Sequence, residues 1–281
     1  MLVNMEEMLN KAKEGHYAVP HFNINNLEWI RFILEECEEN KSPVILGVSE
    51  GAAKYMGGYK TVYAMVKNLM DYLNITIPVA LHLDHGRTVL ACKNAIEAGF
   101  TSVMIDGSRY DLKTNIDMVN EVTSFITNQS VEAEVGHIGG EEDGVSDELA
   151  YASVSDCVDL VKSTNITCLA PALGSVHGIY KGEPKFDFER MEEIKQKTNL
   201  PLVLHGGSGI PDDMIKEAIK RGISKINVNT EFQIAWSKGV REFLNNNEQV
   251  YDPRKIITGG ECAMKEEIKK KIVLFGSQNK A

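Results

Sequence analysis

The feature that most constrains this chain is an alternation. Eight short apolar runs, at 18–23, 44–49, 78–84, 102–107, 131–136, 168–173, 201–206 and 225–230, are separated by segments of helical periodicity. Those segments cover 27–39, 61–73, 89–98, 116–127, 155–162, 187–197, 212–220 and 230–244, with a further helix over 262–275. In 61–73, Val62, Met65, Val66, Leu69 and Leu73 recur at the spacing of one buried helical face. Strands alternating with helices of this length build a parallel sheet. Their nearly continuous apolar character is what strands covered on both faces require. Eight such units predict the α/β class and a (β/α)8 TIM barrel, with 1–281 forming one domain that carries N-terminal and C-terminal helices. The competing architecture is a doubly wound open sheet. To bind a dinucleotide it usually needs G-x-G-x-x-G after an early strand, and the chain has no such stretch.

Composition narrows the partners. The net charge of -10 repels nucleic acid and anionic lipid, so neither is expected to bind. The five cysteines, Cys37, Cys92, Cys157, Cys168 and Cys262, are odd in number and have no C-x-x-C spacing. They read as reduced thiols in a cytoplasmic protein. The first fifteen residues mix charges with Met5, Met8, Leu9 and Ala12 at helical spacing, unlike a signal peptide. No apolar run has the length of a membrane span.

Polar residues gather at the carboxyl ends of the runs, which in a barrel meet at one rim where active sites form. The third run ends in Asp84, His85 and Gly86, and the fourth in Asp106, Gly107 and Ser108. The fifth contains Glu132 and Glu134 and leads to a loop with Glu141, Glu142 and Asp143. The sixth leads to His177 and Gly178, the seventh to His205, Gly206, Gly207 and Ser208, and the eighth holds Asn227, Asn229 and Thr230. Three imidazoles, from His85, His177 and His205, can bind zinc and leave a position open for a substrate oxygen. Each alone reads as an ordinary hydrogen-bonded histidine; three at three strand ends favour a metal. Side chains alternate along a strand, so His82 shares a face with Asp84 and on pattern is as good a ligand as His85, unless the chain leaves the ideal strand at Asp84. Asp106 and Glu134 can orient the ligands. His16, His21 and His137 have no companions in sequence and read as structural or surface residues.

Gly178, Gly206 and neighbouring glycines, with the hydroxyls of Ser208 and Thr230 and the charge of Lys181, suggest a phosphate cradle; the competing explanation, the weaker of the two, is that the glycines serve only tight turns. Asp84 and Glu142 are the candidate proton-transfer groups, although the acidic stretch around Glu142 also reads as a solvated charge run.

His82-Leu83-Asp84-His85-Gly86, Val131 to Gly136, Ala172 to Gly178, His205-Gly206-Gly207-Ser208-Gly209 and Lys225 to Thr230 together resemble class II fructose-bisphosphate aldolases, most closely those of Bacillus-like bacteria. The resemblance extends from the first residues to Phe275-Gly276-Ser277. It implies a zinc-dependent lyase acting on a sugar bisphosphate in glycolysis, dimeric or tetrameric, often with a monovalent cation (Na+ or K+) near the substrate phosphate. It implies zinc on His85, His177 and His205, with Glu134 as an alternate ligand or outer partner and Asp106 behind. It further implies Asp84 as acid/base at the C4 hydroxyl, Glu142 as the loop residue moving the dihydroxyacetone-phosphate proton, and Asn227 at the enediolate. Asn23, Ser49, Gly178, Lys181, Gly206, Ser208, Asn229, Thr230 and Gln233 form the implied substrate and phosphate set.

Three departures stand out: Gly107-Ser108-Arg109-Tyr110 where many relatives have Ala-Ser-His-His, the Pro20-His21 pair, and Gln233 at a variable position. Tagatose 1,6-bisphosphate, which differs at C4, is the nearest alternative substrate, and Asn229 favours fructose over it. A metal-dependent hydrolase on the same barrel and a silent sugar-phosphate binder are the other classes.

Overall fold

Each of the eight apolar runs forms a strand of one closed parallel barrel. The computed structural model describes residues 2–142, 145–178, 180, 182 and 184–281, with the side chains of 141–142 and 145–147 outside the description. The strands are β1 (Val19–Asn23), β2 (Val44–Val48), β3 (Val79–Gly86), β4 (Ser102–Ile105), β5 (Ser130–Val135), β6 (Gly139–Glu142), β7 (Val145–Asp147), β8 (Cys168–Pro171), β9 (Val176–His177), β10 (Leu202–Leu204) and β11 (Ile223–Val228). The barrel closes in the order β1-β11-β10-β8-β5-β4-β3-β2. The remaining strands make a small sheet in the order β7-β6-β9.

The helices Leu27–Glu39, Val89–Ala98 and Asp212–Lys220 coincide with the expected segments. The expected 116–127 helix instead spans Leu112–Thr123, because the Asp111 side chain accepts from the Thr114 N–H at 3.0 Å and caps the chain one turn earlier. Asn26, Thr88 and Ser153 cap their helices in the same way. Two short helices, Glu50–Tyr55 and Pro253–Thr258, have no counterpart among the expected segments.

Two apolar cores follow from strand alternation. The larger lies between the strands' outer faces and the helices. The smaller fills the amino-terminal end of the barrel, where Val19, Ile45, Ala80 and Val203 meet Met5, Met8 and Leu9 from the start of the chain. The helix Glu6–Gly15 therefore plugs that mouth. One pleat further along the strands, the inward positions become polar: His21, His82, Glu132 and Lys225, all fully buried. One pleat beyond that come Asn23, Asp84, Glu134 and Asn227, with His205 just past β10. The barrel is thus layered: apolar at the bottom, ionic in the middle, and open at the carboxyl rim.

Candidate active site

The ambiguity between His82 and His85 is settled by a local break in β3. His85 has φ +48, in the left-handed region, and the register against β4 shifts between Leu83 and Gly86. Strict alternation would turn His85 outward; the break re-aims it to the rim beside Asp84. His82 stays one layer down, its Nδ1 2.7 Å from Ser102 Oγ.

His85, His177 and His205 converge, each offering a ligand atom within 4.8 Å of the other two. Their ring centroids are 4.6 to 5.9 Å apart. His177 arrives on β9, which pairs with Gly139 and Gly140 of β6. Gly140 has φ +103, and a Cβ there would stand 2.2 Å from the His177 carbonyl oxygen. His205 arrives on the turn after β10, where Gly206 has φ +62 and its backbone passes equally close to Val176. Only glycine permits both approaches.

Two carboxylates fix the tautomers. His85 Nδ1 lies 2.9 Å from Asp106 Oδ2, and His205 Nε2 lies 2.7 Å from Glu132 Oε1. A carboxylate accepts, so in neutral rings those nitrogens carry the hydrogens. His85 Nε2 and His205 Nδ1 then present lone pairs to one another at 2.9 Å. Asn227 Nδ2, 3.2 Å from His205 Nδ1, is a donor consistent with that assignment. Burial, reinforced by the neighbouring imidazoles, holds His177 well below the usual histidine range and lowers His205 as well, which favours the neutral form that can ligate a metal. Facing lone pairs repel unless a cation lies between them, so the donor set fits a divalent metal.

Glu134 supports the same conclusion. Its Oε2 is buried with no hydrogen-bond partner among the described residues, and burial plus the charge of Asp106 push its carboxyl well above the usual range. With His85 and Asp106 it makes an adjoining three-residue group of potential ligands. For Asp106, burial opposes charge, but the hydrogen bonds from His85 and Ser108 hold the carboxyl well down. His205 is held by Glu132 rather than by Glu134.

Beside the imidazoles is a cavity of about 270 Å³ lined by Asn23, Asn25, Ser49, Asp84, His177, Gly178, Gly206, Ser208, Asn227, Asn229, Thr230 and Gln233. Asp84 Oδ2 accepts from Asn23 Nδ2 at 2.9 Å, and its Oδ1 from Asn227 Nδ2 at 3.2 Å. Burial works against its charge. The imidazoles of His21, His85 and His205, and then Lys225, hold the carboxyl well below its ordinary value, leaving an ionised acceptor facing the cavity. Asn229 and Thr230 open the long helix Thr230–Asn246, whose N-terminus is a natural seat for an anion.

These features agree with what the chain resembles. Residues 3–280 match the family described as "Fructose-bisphosphate aldolase class-II". The chain belongs to the class II fructose-bisphosphate aldolase family. As an aldolase it is a lyase. It is 58% identical over 283 residues to the fructose-bisphosphate aldolase of Geobacillus stearothermophilus, covering 100% of this chain and 99% of that one. It is 56% identical to the Staphylococcus epidermidis enzyme at the same coverage. Among solved structures, the YdjI aldolase from Escherichia coli K12 superposes with a TM-score of 0.88 at 34% identity, over 100% of both chains. Class II aldolases are metal-dependent, in keeping with the imidazole cluster.

The aldolase cavity thus gathers every candidate substrate residue except Lys181, which lies outside the described residues, as does the side chain of Glu142. Sequence reading missed Asn25, in the cavity wall, and Glu132, behind His205. It also missed Lys225 as a structural ion: its Nζ donates to Glu132 Oε2 at 2.7 Å, both side chains being fully buried. The signal was present in parity, since Glu132 and Lys225 each stand two residues before an inward-facing site residue. His21, read as structural or surface, is fully buried inside the barrel, while His16 is exposed. His137 is half-buried, with Nδ1 2.7 Å from Ser108 Oγ.

Proposed function

We propose that this aldolase catalyses the reversible cleavage of D-fructose 1,6-bisphosphate to dihydroxyacetone phosphate and glyceraldehyde 3-phosphate, with zinc held by His85, His177 and His205. The observation that carries the reading is the convergence of three imidazoles beside a cavity whose wall includes His177 and the ionised Asp84 carboxylate. Bound there, zinc supplies a Lewis acid that draws electron density from the substrate carbonyl.

The chain's own groups do the rest. Asp84, oriented by Asn23 and Asn227, accepts the C4 hydroxyl proton. The C4 oxygen becomes the aldehyde as the C3–C4 bond breaks, and the electron pair passes to C3. Asn227 places its amide beside the reacting carbons. Glu142 returns a proton to C3 of the dihydroxyacetone phosphate half. Gly178, Gly206, Ser208, Asn229 and Thr230 seat a phosphate at the helix N-terminus, with Lys181 and a sodium or potassium ion balancing charge. Ser49 and Gln233 line the remaining length of substrate. Glu134 and Asp106 are assigned to the metal's surroundings, Glu134 as an alternate ligand.

The same proposal places 1–281 in one domain, assembled as a homodimer or homotetramer in the cytoplasm. Four free, buried cysteines suit a reducing compartment. Among the described residues no helix is long and apolar enough to cross a membrane. The test is a side-by-side assay on fructose and tagatose 1,6-bisphosphates. Preferential cleavage of fructose supports the reading. A tagatose preference keeps the mechanism and changes the substrate. Hydrolysis of a bond other than C3–C4 reopens the activity.

A further inference from the structure

Below the three-imidazole centre, the barrel interior holds a second convergence of ligand atoms. His21 of β1 and His82 and Asp84 of β3 each offer one, all within 4.8 Å of one another. Both imidazoles are fully buried, and Asp84 is almost so. Neither ring nitrogen of His21 has a hydrogen-bond partner among the described residues, and neither does Nε2 of His82. Ser102 Oγ, 2.7 Å from His82 Nδ1, satisfies only the other side of that ring. Buried polar atoms without partners are rare, and three on two adjoining rings point to something that binds them.

The spacing suits a shared ion better than direct contact. His21 Nε2 is 3.8 Å from Asp84 Oδ1, and His82 Nε2 is 3.8 Å from Glu132 Oε2; both are too long for hydrogen bonds. The two imidazoles meet edge to face with centroids 5.5 Å apart. Room for His21 is made by Gly47, where a Cβ would stand 2.1 Å from the ring. Burial, and then the ammonium of Lys225, hold both imidazoles well below the usual histidine range against the pull of the Asp84 and Glu132 carboxylates, so each ring is neutral and has a lone pair to offer.

We propose that His21, His82 and Asp84 form a second divalent-cation site, separate from the His85–His177–His205 centre, and that filling it inhibits the enzyme by engaging the Asp84 carboxylate. The imidazole-rich set selects zinc, cobalt or nickel over magnesium or calcium. Occupancy of the site stands without any assumption about catalysis; the inhibition rests on the reading of Asp84 as proton acceptor.

The test uses the zinc-loaded full-length protein and added Co2+. Bound metal is counted after dialysis, anomalous scattering at the cobalt edge locates it, and cleavage is assayed in the same samples. Two ions per chain are expected, with the second peak between His21, His82 and Asp84 and activity falling as that peak fills. In His21→Gln the second ion is expected to be lost and the cobalt needed for inhibition to rise at least tenfold. One ion per chain at every cobalt concentration overturns the site, as does a second peak beside Asp106 and Glu134 or one that survives in His21→Gln. Should His21→Gln fail to fold, the anomalous map of the unsubstituted protein decides alone. A second ion in place with undiminished cleavage overturns the inhibitory role.

Discussion

Lys225 donates from Nζ to Glu132 Oε2 at 2.7 Å, while the other oxygen of the same carboxylate holds His205 at 2.7 Å. The ionic layer at mid-barrel is therefore wired to the imidazole centre above it. Burial opposes the charge of Glu132, but the ammonium of Lys225 and then the His205 hydrogen bond keep it ionised. Lys225→Met leaves that carboxylate buried without the ammonium that balances its charge, which is expected to cost about 3–5 kcal/mol of stability in urea unfolding. The lysine is committed to this pair, so borohydride with substrate should not trap an adduct on it. A trapped adduct at Lys225 would contradict its structural role.

Glu132→Gln and Asp106→Asn keep the shape of the site but weaken the acceptors that set the His205 and His85 tautomers. Each is expected to lower metal affinity by about 10–100-fold, measured by competition with a chelating dye. Unchanged affinity in both would remove the carboxylates from the account of the metal centre.

Asp84→Ala is expected to retain bound metal and to lose cleavage by about 10²–10⁴-fold, the scale of a lost general acid/base. The proton has to go from the C4 hydroxyl to a group in the cavity, and Asp84 is the ionised carboxylate that lines it. Metal content and turnover measured together separate this from loss of a ligand.

Glu38 offers a pH-dependent test of the scaffold. Its carboxylate accepts from the Thr76 and Ile77 N–H groups at 2.8 and 3.1 Å and pairs with Lys41, tying the helix Leu27–Glu39 to the approach to β3. Burial alone would raise its pKa, yet these bonds lower it to about 2 from 4.5. A depressed carboxyl contributes stability that is present above 4.5 and lost as pH falls toward about 2. Glu38→Gln is therefore expected to be less stable by about 1 kcal/mol near neutrality, with the gap closing on acidification. A gap that widens as pH falls would reverse the sign and reject the argument.

The eight strands were legible because each is covered on both faces and reads as an unbroken apolar run. The rim was legible because polar residues cluster where those runs end. The choice between His82 and His85 was not, since it turns on a left-handed residue and a register shift that no propensity marks. In the middle layer, parity marked Glu132 and Lys225 as inward-facing but not as partners: they are 93 residues apart, and only barrel closure brings them together. The small sheet that delivers His177 is made of strands of two to four residues, too short for periodicity to register.

The central claim is that His85, His177 and His205 hold the metal on which aldol cleavage depends. The direct measurement is cleavage of fructose 1,6-bisphosphate by one preparation as isolated, after chelation, and after zinc is restored, with bound metal counted at each stage. Activity should fall with the loss of the ion and return with it, and His205→Ala should neither rebind tightly nor recover. Full cleavage by the chelated, metal-free protein would contradict the account.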